Sequence, residues 1–394
     1  MLEKLIDYNT WQEFYCYKTE GKLLSLRDSE ELLSFIENRE YEPIAKKILQ
    51  GDFKFSPPTK SEVNKSGTSR KRVVYVYPHE EKMILKLLSY LLYKYDSCLA
   101  SNCYAFRKDI GVRAALSNII QNKSIGELWC FKADISNYFN SIDVPTLIKI
   151  TEQIITDDDK LLALLTVFLS DNRVISNGEL IFESKGAAAG TPVSPFFANI
   201  YLHEMDEYFQ NNNIIYARYS DDIIIFDTKE KLEEHINVFY DFIEKYKLLV
   251  NRDKTSIHAP GEEFSFLGFS CKGGEIDISK VTAQKLMAKM KRSTRSLRRW
   301  MLKNNKSNDY TLRLFNRKLN KKLYSDDTGH ELCWARWYFP LITTDKTLKI
   351  IDRYMQQCQR YLVTGKHNKA NYEKVPYQMM KDNGYRPLVA EYYK

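Results

Sequence analysis

Long apolar runs are absent from this chain of 394 residues: none reaches the eighteen or so residues that a membrane span needs, and the opening Met1-Leu2-Glu3-Lys4 starts no signal peptide. A membrane partner is therefore not expected, and a cytoplasmic location is. Cysteine is sparse and unpatterned. The seven, Cys16, Cys98, Cys103, Cys130, Cys271, Cys333 and Cys358, are odd in number and show no Cys-x-x-Cys spacing, which argues for reduced thiols and against a disulfide framework. None of the six histidines stands at metal-ligand spacing from them, so a zinc site is not expected. Internal repeats and long low-complexity linkers are missing too.

The scarcity with most consequence is of acid in one stretch. Between residues 280 and 324, fifteen Lys or Arg stand against one acid, Asp309, a balance of +14 in a chain whose net charge is +8, so the remainder sums to −6. Solvated helical faces usually mix signs, whereas a phosphate-backbone partner rewards cations gathered on one element, because each neutralised phosphate releases counterions. Arg292, Arg295, Arg298, Arg299 and Lys303 are the candidate nucleic-acid contacts there. Leu286, Met290, Leu297 and Met301 form an apolar stripe at helical spacing, and Trp300, Trp334 and Trp337 are expected to pack this module.

What is present elsewhere is the composition of a globular protein, 44% hydrophobic and 28% charged, long enough for two or three subdomains. Its centre is the stretch Ile214-Ile215-Tyr216-Ala217-Arg218-Tyr219-Ser220-Asp221-Asp222-Ile223-Ile224-Ile225-Phe226. Two β-prone runs around a small polar step predict a tight strand-turn-strand. Adjacent carboxylates flanked by isoleucine are costly unless their charge is compensated, and a magnesium ion with substrate phosphates is one compensation. An ordinary hairpin whose turn holds Asp-Asp is the alternative at this point.

Further elements bear on that choice. Residues 129–135, Trp129-Cys130-Phe131-Lys132-Ala133-Asp134-Ile135, read as a short strand ending in a carboxylate, and Asp143 before Pro145 as the N-cap of a helix. Asp134 is thus a second strand-end acid, and two such acids can clamp paired magnesium ions for in-line phosphoryl displacement. Residues 70–78 read as a strand opened by Arg70, Lys71 and Arg72, cations able to grip a triphosphate or to defend an exposed edge, preceded by a flexible turn at 65–69. Residues 183–195 form a small-residue loop, including Gly190 and Ser194, that permits close backbone approach by a ligand and opens a helix. Residues 102–111 place aromatics beside Arg107, an arrangement that stacks bases or serves as core. Lys254 is within sequence reach of a phosphate chain as a proton donor, with a surface lysine as the rival reading. Residues 264–269 read as a strand containing a glycine, consistent with a hairpin beside the sheet that carries the acids.

Taken in order over residues 70–269, these segments resemble the motifs of prokaryotic reverse transcriptases, related to group II intron and retron enzymes, and the tail, with Trp334-Ala335-Arg336-Trp337-Tyr338 and Gly384-Tyr385-Arg386-Pro387-Leu388-Val389, is most similar to the defence-associated unknown-group enzymes. Phe131-Lys132-Ala133-Asp134-Ile135-Ser136-Asn137-Tyr138-Phe139 resembles the first metal motif and Tyr219-Ser220-Asp221-Asp222 the second. The resemblance implies that Asp134, Asp221, Asp222 and the Ile135 backbone carbonyl hold two Mg2+ ions, with Mn2+ as a substitute, and that Asp134, Asp221, Asp222 and Lys254 are catalytic. It implies that Lys71, Arg72, Arg107, Phe139, Gly190 and Ser194 bind substrate, Phe139 crowding a ribose 2′-hydroxyl and so favouring deoxynucleotides. Asn251 with Lys254-Thr255, and Phe266-Leu267-Gly268-Phe269, match the following Asn-x-x-Lys-Thr and primer-grip motifs.

The implied fold is α+β, a right-hand polymerase with fingers, a palm with an antiparallel sheet, and a helical basic thumb. Its expected divisions are a helical N-terminal extension at 1–55, fingers at 56–128, palm at 129–275 with a fingers insertion around 150–185, and thumb and C-terminal region at 276–394. The implied activity is RNA-directed DNA polymerase, a nucleotidyltransferase, copying a dedicated structured noncoding RNA in bacterial antiphage defence. Its partners are then that RNA, dNTPs and the DNA product, with a homo-oligomer left open. Two departures stand out: Ala188 and Ala189 replace the family's Pro-Gln, and Ser220 replaces the alanine usual in group II intron and retron enzymes. A group II intron-like or retron enzyme, a catalytically degenerate nucleic-acid-binding protein and an RNA polymerase acting on RNA are the rival readings. No endonuclease domain is visible, and priming by Tyr392 or Tyr393 is a remote reading.

Overall fold

A computed structural model describes residues 1–21, 24–64, 71–122, 125–324 and 333–394. The expected turn at 65–69 and Arg70 lie outside the described residues. The described strands are β1 (Thr59–Asn64), β2 (Lys71–Val76), β3 (Trp129–Asp134), β4 (Arg173–Ser176), β5 (Glu179–Phe182), β6 (Ile215–Tyr219), β7 (Asp222–Asp227), β8 (Ser256–His258), β9 (Phe264–Phe266), β10 (Phe269–Lys272) and β11 (Glu275–Ile278). They form three sheets, ordered β2-β1-β4-β5, β6-β7-β3-β8 and β11-β10-β9. With the helices between them they make an α+β fold.

The chain divides into two units, one of Met1–Thr19 with Arg27–Glu262 and the other of Glu20–Leu26 with Glu263–Lys394. In the first, the antiparallel sheet β6-β7-β3-β8 carries Asp134 and Asp222 at its strand ends. Ile223, Ile224, Ile225 and Phe226 of β7 are fully buried, which is why this strand is continuously apolar and does not alternate. The helix Lys229–Lys245 lies against β3 and β7, with Phe239 edge-on to Phe131 at 5.3 Å. Asp143 caps the helix Val144–Ile154 as its sequence predicts, accepting from the Thr146 N–H at 3.1 Å.

Beneath the β6-β7 turn lies a buried ion pair. Arg218 of β6 and Asp206 of the helix His203–Asn211 are both inaccessible, and the guanidinium meets the carboxylate through Nε and Nη2. The Tyr216 hydroxyl donates to the same carboxylate at 2.7 Å, while Arg218 also donates to the carbonyl oxygens of Asn199 at 3.0 Å and Ser220 at 3.4 Å. An unpaired charge at this depth would cost several kcal/mol, so the two side chains hold each other in place.

The second unit carries β9, β10 and β11 and a set of helices led by Lys280–Lys303, Asn308–Tyr324 and Lys346–Thr364. The expected stripe Leu286, Met290, Leu297 and Met301 is buried. Of the three tryptophans expected to pack this unit, Trp334 meets Tyr338 at 4.7 Å and Trp300 stacks on Tyr310 at 6.4 Å, although Trp300 and Trp337 are 38% and 39% exposed and so are not core residues. Residues 264–269 are a hairpin, as their glycine suggests, and not one continuous strand. Leu267 and Gly268, at φ 51° and 89°, turn the chain between β9 and β10. Positive φ at both central residues matches the right-handed twist of a tight hairpin. Among the described residues no helix is long and apolar enough to cross a membrane.

Removing one partner of the buried pair, as in Arg218→Met or Asp206→Ala, is expected to lower stability by about 3–5 kcal/mol in urea denaturation. Glu62→Gln, which breaks the exposed Lys71–Glu62 pair, should leave the midpoint unchanged.

Candidate active site

The sheet register brings the strand-end acids together. β3 runs antiparallel to β7 with Asp134 directly opposite Asp222, and the two-residue turn Ser220-Asp221 projects beyond them. Ser220 takes φ 62°, in the left-handed region that disfavours non-glycine residues, and Arg218 braces its carbonyl from below. Past β3, the Ile135 N–H donates to the Asp221 carbonyl oxygen at 3.0 Å, and the Asn251 N–H donates to that of Asp134 at 2.7 Å. The three segments are therefore knitted by backbone bonds before any side chain is considered.

Asp134, Ile135, Phe139, Gly190, Ser194, Asp221, Lys254 and Arg72 all line one cavity of about 540 Å³. Both oxygens of Asp134 are engaged there: Oδ1 accepts from the Lys254 ammonium and Oδ2 from the Asn251 amide at 3.3 Å. Asp221 is held above the usual carboxylate range by burial and then by the charge of Asp134, with Lys254 and Arg72 opposing. Asp222 is pushed up to about 6 by burial and by Asp221. Phe139 is edge-on to Phe106 at 6.1 Å, which sets the attitude of its ring.

Several expected site residues are placed otherwise. Lys71 adjoins Arg72, but successive strand residues face opposite ways, and Lys71 pairs with Glu62 at 2.6 Å in solvent. Arg107 does not reach the cavity; its guanidinium ties down the carbonyl oxygens of Asp96, Ala100 and Cys103 at 2.8–3.1 Å. Asp222 is not among the cavity's lining residues, and among the described residues no three His, Cys, Asp or Glu side chains form a group able to hold a metal ion. Of the expected metal-binding carboxylates, Asp134 and Asp221 are the two that line the cavity. Two converging hard-oxygen donors whose charges repel suit a magnesium ion that completes its shell with water and substrate phosphate.

In the second unit Arg292, Arg295, Arg299 and Lys303 are exposed along one helix. Arg298 is not free for a nucleic acid: Nη1 donates to the Leu362 and Val363 carbonyl oxygens at 2.7 and 3.0 Å, closing the end of the helix Lys346–Thr364. Gly365 makes room for it, since a Cβ there would lie 2.2 Å from the guanidinium.

Ala188 explains one departure from the family pattern. Its φ is 54° and its N–H donates to the Lys185 carbonyl oxygen at 2.8 Å. Proline, fixed near −65° and lacking the donor, fits neither condition. Sequence reasoning missed Asp206 and Arg218, whose signal was an arginine inside an apolar strand, and Asn140, for which there was none.

The pH dependence of stability follows from Asp222. An acid whose folded pKa exceeds its unfolded value binds its proton more tightly when folded, so it destabilises as pH rises from its ordinary 3.8 through about 6. Asp222→Asn should therefore match wild type below that window and exceed it above, in urea titrations run with a chelator; parallel profiles would refute the assignment.

Comparisons with known proteins bear on the chain's family. Residues 63–271 match the family model "Reverse transcriptase (RNA-dependent DNA polymerase)". The retron Ec83 reverse transcriptase of Escherichia coli is 34% identical over 122 residues, covering 29% of this chain and 37% of that protein. The group II intron-encoded protein LtrA of Lactococcus lactis is 26% identical over 217 residues, covering 54% of this chain and 35% of its own. A structure of apo telomerase from Candida tropicalis aligns over 91% of this chain and 67% of that one, with 12% identity and a TM-score of 0.47. The chain spans between 19% and 53% of the length of the curated relatives it matches. On the family match, which covers more than half its length, the chain belongs to the reverse transcriptase family, with the right-hand polymerase fold, and is related to retron and group II intron proteins.

Proposed function

We propose that this protein is an RNA-directed DNA polymerase that extends a primer with deoxynucleotides on an RNA template. The observation that carries the reading is the one cavity that Asp134, Asp221, Arg72 and Phe139 line together. Asp134 and Asp221, with the Ile135 carbonyl, would hold Mg2+, or Mn2+ in its place. When bound, such ions activate the primer 3′-hydroxyl and offset charge on the departing pyrophosphate. Arg72 neutralises the triphosphate, and Lys254, whose ammonium already reaches Asp134, is placed to donate a proton to the leaving group. The Phe139 ring lines the same cavity, which supports a reading in which it crowds a ribose 2′-hydroxyl and so selects dNTPs over ribonucleotides.

The exposed cations Arg292, Arg295, Arg299 and Lys303 fit a phosphate backbone on the helical unit, which we read as the thumb; the unit bearing the catalytic sheet then holds fingers and palm. We further read the template as a dedicated noncoding RNA used in antiphage defence. That reading rests on the likeness of the segments around Trp334-Ala335-Arg336-Trp337-Tyr338 and Gly384-Tyr385-Arg386-Pro387 to defence-associated enzymes.

Asp221→Ala should reduce magnesium-dependent deoxynucleotide incorporation by about a hundredfold or more, as loss of a principal electrostatic stabiliser does; undiminished extension would end the polymerase assignment. Sequencing the nucleic acid that copurifies with the protein should return one enriched structured RNA, whereas a random sample of cellular RNA would count against a dedicated template.

A further inference from the structure

Three segments distant in sequence meet at one side chain. Asn140, half-buried in the short helix Tyr138–Ser141, accepts through Oδ1 from the Ala189 N–H at 3.3 Å and donates through Nδ2 to the Val73 carbonyl oxygen at 3.2 Å. Val73 belongs to β2, the strand that carries Arg72; Ala189 belongs to the small-residue loop; and Phe139 is the neighbour of Asn140. Arg72, Val74, Phe139, Asn140, Ala189 and Gly190 all face the same cavity.

The loop is seated too closely to leave slack. A Cβ on Gly186 would lie 2.4 Å from the Phe139 carbonyl oxygen, and one on Gly190 would lie 2.8 Å from the Val74 side chain. The Ala187 N–H donates to the Phe139 carbonyl oxygen, and the Ala189 carbonyl oxygen accepts from the Tyr75 N–H, each at 2.8 Å. These bonds join the loop to one wall at a time. Asn140 joins all three, and it needs a group that donates and accepts at once, which a carboxamide is and neither a carboxylate nor a methyl is.

We propose that Asn140 is a positioning residue that sets selectivity for the incoming nucleotide: it ties β2 to the 187–190 loop above Phe139 and so fixes the distance between the Arg72 strand and the Phe139 ring. The proposal rests on the polymerase reading and deepens it by naming what holds the sugar and triphosphate walls in register. Asn140→Asp keeps the acceptor toward Ala189 but turns a donor into a charge facing the Val73 carbonyl. Asn140→Ala removes both bonds.

The test is steady-state primer extension on an RNA template with wild type, Asn140→Asp and Asn140→Ala. KM for dNTP should rise about five- to tenfold, the scale of one lost hydrogen bond. The kcat and the template affinity should stay within about twofold, and the preference for dNTP over ribonucleotide should narrow. Binding of dTTP to a complex with a dideoxy-terminated primer reads the same shift without turnover. Unchanged KM and unchanged dTTP affinity in both variants would overturn the proposal, as would a parallel fall in kcat, template binding and melting temperature, the mark of a merely structural residue. Wild-type protein that binds dTTP more tightly than the variants but extends nothing would defeat the polymerase reading and leave this one standing.

Discussion

The candidate active site depends on a charge pair that never touches it. Arg218 and Asp206 are buried completely under the β6-β7 turn, and the arginine spends its remaining donors on the carbonyl oxygens of Asn199 and Ser220. Ser220 sits in a backbone conformation that a non-glycine residue adopts at a cost, and Asp221 follows it directly. A buried cation below the turn, held by Asp206 and bonded to the Ser220 carbonyl, supplies the counterweight. The position of Asp221 is therefore set from inside the fold, leaving its carboxylate oxygens for whatever occupies the cavity.

Above that turn the same economy recurs. The cavity walls come from β2, the end of β3, the 187–190 loop and the segment around Lys254, and backbone hydrogen bonds or a single carboxamide join each to the next. The close seating of Gly186 and Gly190 leaves little tolerance for a shift of the loop. Ala188 belongs to this design. In its left-handed conformation it lets the loop donate back to Lys185, which the proline usual in the family could not do.

The basic helix shows how charge counted along a chain divides into separate roles. Arg292, Arg295, Arg299 and Lys303 remain available at the surface, while Arg298 caps the carboxyl end of the helix Lys346–Thr364, where free carbonyl oxygens favour a cation. A helix that packs on one face and meets solvent on the other carries both kinds of arginine, and their spacing alone does not distinguish them.

The existence of the β6-β7 hairpin, the strand ending in Asp134, the cap at Asp143 and the apolar stripe of the long helix were all legible in the sequence, because periodicity and turn chemistry are local properties. Ordered motifs likewise pointed to the family and to Asp134 and Asp221. Which neighbours of those acids face the cavity was decided by tertiary structure. Alternation along a strand turns Lys71 away from Arg72; a loop's unsatisfied carbonyls claim Arg107; register sets Asp222 opposite Asp134 but leaves it off the cavity wall. The Asp206–Arg218 pair and the Asn140 bridge depend on which segments meet in space, since burial makes a polar group seek whatever partner the fold brings to it, at any distance along the chain.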